Sequence, residues 1–537
     1  MRGHEVRPTT VRTAITHTRI LDGTGNPEYL GDIVLESGLI ADILPAGSFK
    51  DDGTTILIDG AGLVTCPGFI DLRGSSDTAP LTDPARRSAL TQGVTTEVLG
   101  QDGANCAPLT DASASLLRHQ LAGVAPEWAD RDVEWRTVGQ YLDHLDSGTG
   151  TNTAYLVPKD AVRALAMGSA VVAPTAQQLV AEVKAMADAL EQGAVGLSSS
   201  APGASATPAE TAELEALCAA VGAYGGYWAS ARNSLAVSVT ESVTRSIALA
   251  AKTGVPVHLT HLAADGAGAA DLLDVLERAL KAGVDLSCDS HPYLENPGML
   301  ASLLPGWARD GQAEDVLARL DDPEAVARIR SELEASADID WDALTIAFVE
   351  SGQLAMLVDQ SIARIAAIQS SDPATTLVRI LHTDSLATGV LYAGGTEDDL
   401  RAIMGHRTHA GAGVGFRSEA AAHPGVWGSF PRFVGGLARE AKAMDLPAVI
   451  HQLTGRPARR LHLANRGVLA VGNAADVLVF DPDAIIDMAT FADPRQPAAG
   501  INHVFVNGVP AVSEHQPTSA LAGRALRRGP EGTTQSL

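Results

Sequence analysis

GAVGLSSSAPGASATPAETAELEALCAAVGAYGGYWASAR, residues 193–232, reads as strand, helix, strand. VGLSSS (195–200) and YWASAR (227–232) are short apolar runs bounded by turn residues. Residues 207–225 between them read as a well-punctuated helix. Thr207 can cap it, Pro208 suits its first turn, Glu210 completes a capping box, and Gly225 or Gly226 can end it. A unit of this kind makes its two strands parallel members of one sheet.

The same alternation extends in both directions. Candidate strands are GFIDLR (68–73), TTEVLG (95–100), TAYLVP (153–158), VHLTHL (257–262), DLSCDSHPY (285–293), GVLYAG (389–394) and AGVGFRS (412–418), with helices between them. Roughly eight such units in one run predict an α/β fold built on a (β/α)8 TIM-type barrel. Residues 294–380 are more helical and read as an insertion. The two ends differ in style. Residues 13–23, 31–47 and 56–72, and again 467–482 and 501–512, are strands and turns. The expected organisation is therefore a barrel over 67–463 and a small β-sandwich assembled from 1–66 and 464–537.

Composition narrows the class. The 537 residues carry 39 Lys+Arg against 64 Asp+Glu, a formal charge of −25, which argues against nucleic-acid or anionic-membrane partners. Hydrophobic residues at 45% and charged residues at 19% mark a folded globular chain. Aromatic content of 4%, with abundant Ala, Gly and Val, suits close helix–sheet packing. Cys66, Cys106, Cys218 and Cys288 form no CxxC pair, which favours a reducing compartment. The first residues lack an apolar signal core, and no run is long and apolar enough to span a membrane. The expectation is a cytoplasmic protein acting on a small molecule, with self-association left open. Glycines at 222–226 and 411–415 fit neither phosphate-loop pattern, and Ser198–Ser200 form no nucleophile elbow.

PGFIDL (67–72), GVTTEVLG (93–100), GAVGLSSS (193–200), GVPVHLTHL (254–262) and DSHPY (289–293) occur in an order and spacing that resemble the D-aminoacylase branch of the amidohydrolase superfamily. WGSFPRFVGGLARE (427–440), LTGRPARRLHL (453–463), RGVLAVGNAADVLVFDP (466–482) and VFVNGV (504–509) extend the resemblance over nearly the whole chain. It implies amide hydrolysis by metal-bound hydroxide, with one or two divalent ions.

The metal positions that the resemblance implies are altered here. A His-x-His pair is expected after Asp71, where this chain has Arg73 and Ser75; a guanidinium cannot ligate a cation. Asp102 stands at an expected Cys, and a carboxylate can ligate. The fifth-strand His falls on Ala231, with Arg232 beside it. His261 is retained, and Glu419 replaces an Asp expected to act as general acid/base. A substrate Lys and a clamp Arg are replaced by Ala263 and Gly425, the latter in His423-Pro424-Gly425.

The resulting expectation is an enzyme for amide or C–N hydrolysis, or a related acid/base reaction, without the binuclear metal centre and with Asp102, His261 and Glu419 as catalytic residues. Arg73, Ser75, Arg232 and His291 would bind a substrate, with an anion favoured by Arg73. Arg73 is read as pairing with Asp102, Glu97 or Glu419. No metal cofactor is expected. The alternatives are a single Zn held by Asp102, His261 and Glu419, or a catalytically inactive binding partner. His258, three residues before His261, falls on the opposite strand face by alternation and reads as packing or helix-facing rather than as a ligand. Cys106 reads as a buried thiol and Tyr293 as packing beneath the mouth.

Overall fold

In the computed structural model, the described residues are 12–74, 78–101, 106–124, 131–168, 172–202, 207–232, 237–264, 268–309, 313–336, 339–414, 423–529 and 531–536. Eight short strands form one all-parallel sheet in chain order: β1 Phe69–Asp71, β2 Val94–Leu99, β3 Asn152–Pro158, β4 Gly196–Ser200, β5 Tyr227–Ala231, β6 Val257–Leu259, β7 Leu286–Ser290 and β8 His409–Gly411. The ends of the sheet are brought together past β1 and β8, where the Gly413 N–H donates to Asp71 Oδ1 at 3.1 Å. This is the expected TIM-type barrel.

Alternation explains its two packing surfaces. Ile70, Val98, Ala154, Leu156, Tyr227, Ala229 and Ala410 point inward and pack on one another. Leu99, Tyr155, Val157, Leu197, Trp228, Val257, Leu259 and Cys288 point outward against the helices. The helix after β4, Pro208–Ala223, starts as read: Thr207 accepts from the Glu210 N–H while Glu210 accepts from the Thr207 N–H. Gly225, at φ +67, turns the chain out of it. Gly100, at φ +90, ends β2 where a Cβ would fall 1.8 Å from the Leu156 carbonyl oxygen, so only glycine brings the chain across at this point.

One sequence expectation is corrected. GVLYAG was read as a barrel strand, but Gly389–Ala393 pairs antiparallel with Glu295–Met299 and Leu344–Phe348 in a separate three-stranded sheet. That sheet carries its own core, including Leu300, Ile329, Ile346, Leu377 and Val390, between β7 and β8. The last barrel strand is instead His409–Gly411. Its three residues, His, Ala and Gly, produce no apolar signal, whereas GVLYA does; periodicity registers a strand but not the sheet that it joins. Residues 412–414 are not strand, and 415–418 lie outside the described residues.

Strands from both ends of the chain share a further, nine-stranded sheet. Val477–Phe480 runs antiparallel to Val64–Pro67 and so joins the C-terminal strands to the N-terminal ones. Ile15, Ile33, Leu35, Val477, Val479 and Phe505 fill one face. Near the C-terminus, Leu526 enters the inner barrel core beside Ile70 and Tyr227, anchored by Thr153 N–H donating to Arg524 O and Arg528 N–H donating to Gly193 O. No helix among the described residues is long and apolar enough to cross a membrane.

Candidate active site

The C-terminal ends of β1, β6 and β7 bring six polar residues together: Asp71, Arg73, His258, His261, Asp289 and His291. Asp71 closes β1, and its Oδ1 accepts the backbone N–H of Arg73 at 2.9 Å as well as that of Gly413. Burial, with the charges of Glu97 and Asp289 adding to it, pushes the Asp71 carboxyl up to about 8. It is therefore neutral at pH 7. Arg73 follows at 7% exposure, a cation folded into the mouth.

Asp289, on β7, organises the opposite wall. Its Oδ2 lies 2.8 Å from His258 Nε2, and its Oδ1 accepts the His261 backbone N–H at 2.7 Å. His258 Nδ1 lies 2.8 Å from Ser287 Oγ, so both ring nitrogens are engaged. Burial alone would raise the Asp289 carboxyl. The hydrogen bond and charge of His258, then the charges of His261 and Arg73, outweigh burial and hold it well below the usual carboxylate range. Asp289 is an ionised anchor.

His261 lies just past β6 at φ +51, a strained conformation for a residue with a Cβ. The Asp289 bond to its N–H holds that turn. Its half-buried ring has Nε2 3.4 Å from Gly413 O. The same turn corrects the reading of His258. The strand ends at Leu259, so alternation does not carry on to His261, and both histidines face Asp289. His258 points into the barrel, where it meets the edge of Tyr227, rather than towards the helices.

His291 follows β7 and is 2% exposed. Its ring centroid is 5.1 Å from His261, 5.7 Å from His423 and 6.2 Å from Tyr293. Burial first, then the neighbouring His261, His423 and Arg73, depress its basicity strongly. His423 bonds at both nitrogens, with Nε2 2.9 Å from Glu295 O and Nδ1 accepting from the Gly425 N–H at 3.0 Å. Burial pushes it down to about 4. Tyr293 packs as expected: its hydroxyl donates to Asp487 at 3.1 Å, and Arg432 lies over its ring at 4.6 Å.

The remaining expectations divide. Arg232 is half-buried and donates from Nε to Val237 O at 2.7 Å. With Ala231, Thr260 and His261 it lines a small cavity at the ends of β5 and β6. Glu97 is committed elsewhere than to Arg73: Arg86 grips both its oxygens at 2.6 and 3.0 Å, and Thr151 donates to it at 2.7 Å. Asp102, Glu419 and Ser75 lie outside the described residues. Cys106 is buried, and its carbonyl accepts from the Trp135 indole. Asp289 is a functional residue that residue type alone does not single out, but the chain carries a signal for it: Ser287, Asp289 and His291 recur at the two-residue period that puts side chains on one face of a strand.

An amidohydrolase family profile matches residues 57–512. The chain belongs to the amidohydrolase family. N-acyl-D-glutamate deacylase of Alcaligenes xylosoxydans xylosoxydans is 32% identical over 514 residues, covering 95% of each chain. D-aminoacylase of the same organism is 28% identical, covering 95% of this chain and 96% of its own length. The crystal structure of N-acyl-D-glutamate deacylase from Bordetella bronchiseptica, complexed with zinc and a phosphonate mimic of the tetrahedral intermediate, aligns with a TM-score of 0.75 at 28% identity. That alignment covers 96% of this chain and 99% of the other. These relatives are enzymes that hydrolyse C–N bonds, and this amidohydrolase has the fold and the polar mouth of an enzyme of that kind.

The family implies a divalent ion, and the residues here can be tested against it. Among the described residues, no three His, Cys, Asp or Glu side chains converge to hold a metal. Arg73 and Ala231 stand at two expected histidine positions and offer no donor. Of the expected ligands, His261 lies within the described residues, and Asp102 and Glu419 lie outside them.

Proposed function

We propose that this amidohydrolase cleaves the amide bond of a small N-acyl compound by electrostatic and acid–base chemistry, without a binuclear metal centre. The observation that supports this reading is Arg73, buried among Asp71, Asp289, His261 and His291 where the family resemblance expects a metal-binding histidine. A fixed guanidinium in a water-poor mouth stabilises the oxyanion formed when water adds to the carbonyl carbon. His261, braced by Asp289, takes the proton of that water and returns it to the departing amine nitrogen as the C–N bond breaks. Asp102 and Glu419 remain carboxylates proposed to share this proton work. Since Ala263 and Gly425 replace the cationic residues expected to hold a substrate carboxylate, an anionic substrate would meet its positive charge at Arg73, with Arg232 beside the mouth. Four buried cysteines with free thiols support an intracellular, reducing location.

The test is metal analysis of the purified protein alongside a panel of N-acetyl-D-glutamate, N-acetyl-D-aspartate and neutral N-acetyl-D-amino acids. Hydrolysis that survives chelation, with far less than one metal per chain, is expected. Stoichiometric zinc whose removal abolishes turnover would refute the metal-free reading and restore the mononuclear alternative.

A further inference from the structure

Among the described residues four histidines are buried: His258, His291, His409 and His423. Three of them are bonded at both nitrogens. His258 engages Asp289 and Ser287, His423 engages Glu295 O and the Gly425 N–H, and His409 engages Ser290 Oγ at 2.7 Å and Gln452 at 2.9 Å. His291, at 2% exposure, has no hydrogen-bond partner at either nitrogen among the described residues. A buried, unmet polar atom costs stability, and a fold that leaves two on one ring places that ring for a ligand.

The neighbours of His291 bond elsewhere. Asp289 already holds His258 and His261, Tyr293 already holds Asp487, and both nitrogens of His423 are taken. The His261 ring stands perpendicular to His291 at 5.1 Å, so a small molecule on His291 lies within reach of His261.

Resting on the function proposed above, we infer that His291 is the seat of the attacking water. Its bare nitrogen accepts one O–H of that water; its N–H, which points out of the far side of the ring, is left for a second acceptor of the bound ligand. The proton of that water goes to His261, whose ring stands beside it. In metal-dependent hydrolysis the ion orients the water; here the His291 ring and the Arg73 guanidinium divide that work.

Two variants test this. His291→Phe replaces two unmet polar atoms by an apolar ring of similar shape, and His291→Asn keeps one donor and one acceptor. The Phe variant is expected to melt at a higher temperature than the parent. It should lose at least about tenfold in kcat on the best N-acetyl substrate while KM changes by less than about threefold. The Asn variant should recover part of the lost kcat. A Phe variant within twofold of the parent kcat, or one that melts lower while Asn does not, overturns the inference. Should His291→Phe fail to fold, His291→Leu carries the same kinetic comparison with the Asn variant. A parent protein inactive on the whole panel overturns the proposed function itself, a result distinct from an active parent indifferent to His291.

Discussion

Removing Arg86 tests the charge arrangement under the mouth. Arg86 and Glu97 are each 2% exposed and meet at 2.6 Å, with Thr151 as a third partner. At an effective dielectric near 20, two unit charges about 4 Å apart attract by about 4 kcal/mol. Arg86→Met leaves Glu97 buried with a single hydroxyl, and breaking such a pair costs about 3–5 kcal/mol. Arg86→Met with Glu97→Leu removes both charges together and should recover about 2 kcal/mol or more of that loss. The assay is urea unfolding of the parent, both single variants and the double variant, comparing the midpoint of the transition that reports the barrel. A loss below about 1 kcal/mol, or single-variant effects that simply add, would refute the claim that this pair supports the barrel mouth.

Other consequences are equally direct. Asp71 keeps its proton in the folded protein up to about pH 8 but ionises near 3.8 when unfolded. Its contribution is therefore fully present below 3.8 and lost as pH rises towards 8, by roughly 6 kcal/mol at most; Asp71→Asn should flatten that decline in a melting-temperature series, and an unchanged slope would contradict the burial argument. Asp289→Asn weakens the brace on His258 and on the strained His261 turn, and should lower both melting temperature and turnover, with kcat falling more than KM rises. Leu526→Ala opens a cavity in the inner barrel core and should cost about 2–5 kcal/mol in chemical denaturation. Gly100→Ala, whose Cβ would overlap the Leu156 carbonyl, should reduce soluble expression, and normal yield with parental stability would show that the chain shifts freely there.

Much of the fold was legible because its signals are local. The capping box of Thr207 and Glu210, and apolar runs separated by amphipathic helices, operate over a few residues and survived intact. The replacement of expected ligands by Arg73 and Ala231 is likewise readable in one dimension, because residue identity alone decides that neither can ligate. The errors arose where partners are far apart in the chain. Gly389–Ala393 has strand character, but which sheet it joins depends on Glu295–Met299 and Leu344–Phe348. Glu97 has an Arg near it in both readings, and only packing selects Arg86 over Arg73.

The sequence by itself determined a parallel barrel with β-rich ends, a family, and a mouth whose expected histidines are partly replaced by a cation. Tertiary structure decided what that mouth contains. It set His258 against Asp289 through strand pairing, turned His261 to positive φ so that its N–H meets the same carboxylate, made Asp289 the ionised hub, and left His291 buried with both nitrogens unmet among the described residues. The physical reason is range. Helix and strand signals act between residues a few positions apart, whereas the ionisation of a carboxylate or the satisfaction of an imidazole depends on whichever distant strand ends the closed barrel sets beside it.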